Sequence, residues 1–213
     1  MPRFATLLLD LDGTLVDAFT TIQRGYVHTL PQFGRPAPTL AEVRRAVGGG
    51  IENAMAHFLP PEDIPAAIRV HLAYTRTILL DDVVLLPGVL ELLRAQHHRG
   101  VQLAVFTNKQ AESARRICAH LGITPFLQGV FGAGDTPWLK PQPEFTTHVL
   151  AKLGAVADST LLIGDSPFDV ETARAAHFPC WAVTTGTHDA IQLNNAGADR
   201  VFPNLTELGA ALN

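Results

Sequence analysis

Two aspartates one residue apart, in Asp10-Leu11-Asp12-Gly13-Thr14, follow directly on an apolar run of Leu7, Leu8 and Leu9. A buried strand that ends in two carboxylates is costly unless a cation or hydrogen-bond donors receive them. By itself the segment is also ordinary turn chemistry, since Asp-Gly suits a tight turn. A second apolar run, Val105-Phe106, leads into Thr107-Asn108-Lys109, which places a hydroxyl and an amide at a strand end. Thr107 alone would equally cap the next helix. A third run, Leu162-Ile163-Gly164, leads into Asp165-Ser166, with Asp169 one helical turn later. Asp165 fits a helix cap as well. Lys140, in Leu139-Lys140-Pro141-Gln142-Pro143, is one of only three lysines. An isolated lysine is ordinarily a solvated surface group.

These segments need a scaffold that brings them together. Short apolar runs at residues 4–9, 101–106, 129–133, 160–163 and 180–183, with a short sixth at 200–202, have the length and composition of buried strands. Helical patterns lie between them. In the one expected over 110–121, Ala111, Ala114, Ile117 and Leu121 recur at helical spacing and Gly122 supplies a C-terminal cap. Such alternation predicts an α/β fold, a Rossmann-like doubly wound parallel sheet with helices on both faces. One gap breaks the rhythm, because strand one ends near Asp10 and strand two begins only at Val101. Helical stretches at 20–33, 40–46, 51–58 and 61–79 fill it. The expected division is a catalytic core of residues 1–16 and 84–213 and an inserted helical cap domain of residues 17–83.

In an open parallel sheet, ligands bind outside the carboxyl ends of the strands at the topological switch point. Asp10, Asp12, Thr107 and Asp165 converge there. That many carboxylates repel one another unless a hard cation sits among them, and an all-oxygen site suits Mg²⁺. Thr107, Asn108 and Lys140 then offer donors and positive charge to an anionic group. Together these are the parts of a phosphoryl-transfer site.

The same motifs, in order along the whole chain, resemble those of the haloacid dehalogenase superfamily, and most closely its phosphoglycolate phosphatase-like branch. Asp10 through Asp17 resembles the first motif, Thr107-Asn108-Lys109 the second, Lys140 through Pro143 the third, and Gly164 through Asp169 the fourth. The resemblance implies that Asp10 attacks phosphorus and carries an aspartyl-phosphate. It implies that Asp12 protonates the leaving alcohol and later activates water. Mg²⁺ would be held by the Asp10 carboxylate, the Asp12 backbone carbonyl and Asp165. Asp169 would orient water or Lys140 from behind these ligands, with Ser166 beside it. Thr107 and Asn108 would bind phosphoryl oxygens, and Lys140 would offset charge on Asp10 and the phosphate. Family dehalogenases lack an acid at the position of Asp12, which disfavours carbon–halogen hydrolysis here.

The substrate is left to the insert. It holds no lysine, so it cannot form the imine used by relatives that cleave phosphonoacetaldehyde. Sugar phosphomutases stay open. In Arg44-Arg45-Ala46-Val47-Gly48-Gly49-Gly50, Arg45 could bind a carboxylate and Gly49 could offer its backbone N–H to an anion. The same segment also reads as a flexible break between two helices. A small phosphorylated metabolite such as 2-phosphoglycolate fits, and cap movement is expected to gate its entry. Gly186-Thr187-His188 resembles a loop of the same branch, in which His188 could touch the rim of the site or serve the structure of the loop, the second being the expectation.

Composition narrows the alternatives. With 47% hydrophobic and 17% charged residues the chain reads as soluble and globular. A net charge of -4 argues against nucleic acid. No run is long enough to span a bilayer, and no signal peptide is evident, so a cytoplasmic monomer or homodimer is expected. Cys118 and Cys180 read as buried small hydrophobes. A phosphorylated receiver module would share the acidic residues, Thr and Lys but would need no helical insert. A family member without activity is the remaining rival.

Overall fold

The computed structural model describes residues 3–212. Residues 1, 2 and 213, which the expected core segments include, lie outside the described residues. The chain opens with β1 (Thr6–Leu9) and β2 (Val16–Asp17). It then passes through α1 (Phe19–Thr29), α2 (Leu40–Ala46), α3 (Ile51–Ala56) and α4 (Ile64–Ile78) to β3 (Val84–Leu85). From there helix and strand alternate. They are α5 (Val89–His98), β4 (Gln102–Gln110), α6 (Ala111–His120), β5 (Gly129–Ala133), α7 (Pro143–Leu153) and β6 (Thr160–Gly164). The chain ends with α8 (Pro167–Ala175), β7 (Cys180–Val183), α9 (Ala190–Ala196), β8 (Arg200–Phe202) and α10 (Leu205–Leu212).

Six strands make one parallel sheet in the order β5-β4-β1-β6-β7-β8. The chain builds from β1 outward through β4 and β5, then returns to β6 on the other side of β1. The carboxyl ends of β1, β4 and β6 therefore flank the switch point. This is the expected α/β doubly wound fold with its helical insert.

Side-chain alternation explains why the strands read as unbroken apolar runs. Leu7 and Leu9 pack on one face with Leu103, Val105 and Ile163, while Leu8 packs on the other with Ala104, Phe106 and Leu162. Burial of each leucine contributes roughly 1.5–3 kcal/mol. That anchors the strand that carries Asp10 and Asp12 into a desolvated place.

The insert has an apolar cluster of its own, built on Tyr26, Leu30, Val43, Met55, Leu59 and Ala67. It leaves and rejoins the sheet through an antiparallel ribbon, with Val16 paired to Leu85 and Asp17 to Val84. The division expected at 16/17 and 83/84 falls on this ribbon. Two-residue strands have no periodicity to read, which is why the ribbon was not foreseen.

Other differences have local causes. The helix expected over 20–33 ends at Thr29 and closes with a 3₁₀ turn over Leu30–Phe33. Pro31 has no N–H with which to continue the α ladder. The helix expected from 61 begins at Ile64. β4 continues past the apolar run through Thr107, Asn108 and Lys109, with a register irregularity between Phe106 and Gln110. α5 is an addition to the expected helices, and its Val89, Leu92, Leu93 and Gln96 turn inward at helical spacing. Cys118 and Cys180 are free and buried, and burial pushes both thiols up, that of Cys118 to about 12. Among the described residues, no helix is long and apolar enough to cross a membrane.

Candidate active site

β1 ends at Leu9, and the N–H of Asp10 donates to the carbonyl of Ile163 at 2.9 Å, which ties it to β6. Asp10, Asp165 and Asp169 are all buried, and each offers a carboxylate oxygen within 4.8 Å of the others. Lys140 enters from the loop before α7. Its Nζ donates to Asp169 Oδ1 at 2.6 Å and forms an ion pair with Asp10 Oδ1 at 3.1 Å. Asp10 Oδ1 accepts no hydrogen bond.

The other two carboxylates are held by donors. Asp165 Oδ1 accepts from Thr14 Oγ1 at 3.2 Å, and Oδ2 accepts from Thr187 N at 2.8 Å and Thr187 Oγ1 at 2.9 Å. Asp169 Oδ2 accepts from Ser166 N at 3.1 Å and Ser166 Oγ at 2.7 Å, which closes a reciprocal cap at the start of α8. Glycines make room for them. Gly13 has φ +82°, and a Cβ there would lie 2.7 Å from Asp165 Oδ2. A Cβ on Gly186 would overlap Asp165, and one on Gly164 would overlap Asp169.

Three carboxylates against one ammonium leave this buried group at a formal charge of -3 + 1 = -2. The strain shows in the titration of its members. Burial pushes Asp10 up to about 6 and the Asp169 charge adds to this, with Lys140 opposing. Burial also pushes Asp165 up to about 8, helped by Asp10 and Asp169. Burial disfavours the Lys140 ammonium too, but Asp10 and Asp169 outweigh it and raise its pKa. The group must take up protons or a cation. A divalent cation would cancel the -2, and an all-oxygen donor set with one undonated carboxylate oxygen suits a hard metal. The residues therefore fit a divalent ion.

Asp12 faces a different partner. Lys109 Nζ donates to Asp12 Oδ2 at 2.9 Å and Oδ1 at 3.1 Å. The Asp12 carboxylate lies outside the three-carboxylate group, and the ligand expected from Asp12 is its backbone carbonyl. Thr107 is buried, and its Oγ1 accepts from Lys109 N at 3.2 Å. Asn108 clamps the Lys140 backbone from both sides. Its Nδ2 donates to Lys140 O at 3.0 Å, and its Oδ1 accepts from Lys140 N at 2.8 Å. The same Nδ2 donates to the carbonyl of Gly48 in the insert at 3.0 Å.

A cavity of about 120 Å³ opens over these residues. Its floor includes Asp10, Asp12, Thr107, Asn108, Lys109 and Asp165, and its roof comes from the insert. Gly48 and Gly50 line it, but Gly49 and Arg45 do not. Gly49 sits against Phe168 and Asn53, and Arg45 is exposed. The neighbouring Arg44 makes the link that Arg45 does not. Its guanidinium lies 4.2 Å over the Phe19 ring, and Nη1 donates to Gly186 O at 3.3 Å. A helix exposes one face only, so adjacent arginines diverge.

Three residues escaped the sequence reading of the site. Lys109 and Thr14 lie inside the motifs quoted above with no role of their own in them, and Thr187 is the neighbour of His188. His188 does not line the cavity and lies 2.7 Å from Thr187 Oγ1, through Nδ1.

Residues 7–183 match the haloacid dehalogenase-like hydrolase family. The chain belongs to that family. A relative named probable phosphatase IndB, from Dickeya dadantii, is 32% identical over 96% of this chain and 92% of its own length. Phosphoglycolate phosphatase 1 of Pseudomonas aeruginosa is 29% identical over 97% of this chain and 81% of its own. The crystal structure of a protein described as a predicted phosphoglycolate phosphatase, from Haemophilus somnus, aligns with TM-score 0.91 and 24% identity over 100% of both chains. That last likeness speaks to the fold. This haloacid dehalogenase-like hydrolase is thus a phosphatase-type member of its family, phosphoglycolate phosphatase-like among its relatives.

Proposed function

We propose that the protein hydrolyses a small phosphate monoester through an aspartyl-phosphate on Asp10, in a Mg²⁺-dependent reaction. One observation carries the reading. The buried Asp10–Asp165–Asp169 group, short by two positive charges, shares a single cavity with Asp12. Asp10, Asp165 and the Asp12 backbone carbonyl would hold Mg²⁺, which when bound shields the charge of the transferring group.

Asp10 forms a bond to phosphorus as the bond from phosphorus to the alcohol oxygen breaks. Asp12 gives that oxygen its proton. Asp12 then takes a proton from water, whose oxygen attacks the phosphoryl group and releases phosphate and free Asp10. Lys109, paired with both Asp12 oxygens, fixes the direction of that carboxylate. Lys140 offsets charge on Asp10, and Asp169 holds Lys140 in place. Thr107 and the backbone around Asn108 present donors to the phosphoryl oxygens. Residues 17–83 serve as a cap, closed by the Asn108–Gly48 and Arg44–Gly186 hydrogen bonds.

Phosphate release from p-nitrophenyl phosphate tests this, with Mg²⁺ and with EDTA, for the wild type and Asp10→Asn. Turnover that needs Mg²⁺ and is lost in Asp10→Asn is expected. Undiminished turnover in Asp10→Asn sinks the reading.

A further inference from the structure

The roof of the cavity is uncharged. It is built from Ile22, Tyr26, Ile51 and Leu72, with Thr75, whose Oγ1 donates to the His71 carbonyl at 2.8 Å, and two further polar side chains, Thr21 from α1 and His71 from α4. Both are almost wholly buried, at 3% and 6% exposure. Among the described residues, Thr21 Oγ1 and His71 Nδ1 are buried side-chain atoms with no hydrogen bond of good geometry, although the Gly25 backbone lies beside the His71 ring. A buried polar atom left unpaired in a cavity wall is costly, and a bound group that supplies the partner recovers that cost. Burial lowers the His71 pKa to about 4, so its imidazole is neutral at physiological pH.

The nearby cations are already engaged. Lys109 is held by both Asp12 oxygens, and Lys140 is held by Asp10 and Asp169. Arg44 and Arg45 do not line the cavity. A carboxylate on the substrate, as in 2-phosphoglycolate, would lose its water against this roof without a free cation to receive it.

We propose that Thr21 and His71 select the leaving group, and that the preferred substrate is a phosphate monoester of a small uncharged alcohol with a further hydroxyl, not of a hydroxy acid. This rests on the phosphohydrolase reading above. It departs from the substrate in the relatives' names because the roof offers neutral hydrogen-bonding groups on an apolar surface. A neutral polyol ester supplies both the missing partners and an apolar edge.

The test compares kcat/KM for sn-glycerol 3-phosphate, propyl phosphate and 2-phosphoglycolate in the wild type, Thr21→Val, His71→Leu and His71→Gln. Wild type is expected to favour sn-glycerol 3-phosphate over 2-phosphoglycolate by about tenfold or more. Thr21→Val keeps the side-chain shape and should reduce the preference for the glycerol ester over propyl phosphate about three- to tenfold. His71→Leu should do the same, and His71→Gln, which retains hydrogen-bonding groups, should restore part of the preference. A merely structural role lowers both esters together and leaves their ratio alone. That result, or a preference for 2-phosphoglycolate, overturns the inference while the phosphohydrolase reading stands. No turnover of these esters or of p-nitrophenyl phosphate overturns both.

Discussion

Lys109 grips both carboxylate oxygens of Asp12, at 2.9 and 3.1 Å, from the extended end of β4. Both side chains are nearly buried, so the pair is little screened by solvent. Holding two oxygens fixes the rotation of the carboxylate as well as its place.

Removing that grip should harm the chemical step more than binding. Lys109→Gln is expected to lower kcat by about ten- to a hundredfold, with a smaller change in KM, since general acid–base groups contribute about 10²–10⁴. Steady-state kinetics on p-nitrophenyl phosphate checks this. A change confined to KM would place Lys109 in binding alone.

The carboxylate group predicts how metal and pH act on stability. Asp10 and Asp165 ordinarily lose their protons near 3.8, but burial in the metal-free fold raises them to about 6 and about 8. Across that window the unfolded chain binds fewer protons than the folded one, so metal-free stability falls as pH rises. In the proposed site, Mg²⁺ would take the place of those protons. The rise in melting temperature on adding Mg²⁺ should therefore be larger at about pH 8 than at about pH 5. An equal rise at both would contradict metal binding by these carboxylates.

His71 works in the opposite direction. Its folded pKa of about 4 lies below the ordinary 6.5, mainly through burial. Its neutral form stabilises the fold above about 6.5, and that contribution fades as pH falls towards 4. The loss is about 3 kcal/mol at most. Urea unfolding of wild type and His71→Gln between neutral and acid pH reads it out. The variant should have the shallower acid slope, and parallel slopes would assign the acid loss to other groups.

Much of this was legible beforehand because the strands are continuous apolar runs that end in polar motifs. Leu7, Leu8 and Leu9 mark β1 and point to Asp10, and Leu162 and Ile163 do the same for Asp165. The reading failed where contacts depend on direction and not on spacing. Arg44 and Arg45 are equivalent on paper, but the turn of α2 sends Arg44 to Gly186 and leaves Arg45 exposed. Lys109 was visible as a residue and invisible as a partner, because its reach to Asp12 needs β4 to continue past Phe106. Thr21 and His71 stand fifty residues apart on two different helices, and only packing of α1 on α4 brings them to one cavity.

The most direct measurement is to trap the phosphorylated enzyme. In the proposed mechanism Asp12→Asn removes the group that would activate water but leaves Asp10 in place, so a substrate with a good leaving group should still phosphorylate the protein and then stall. After brief exposure to p-nitrophenyl phosphate with Mg²⁺ and acid quenching, mass spectrometry should find one phosphoryl group on the peptide that contains Asp10, and none in Asp10→Asn. Full turnover by Asp10→Asn, or a phosphoryl group on any other residue, would contradict the account.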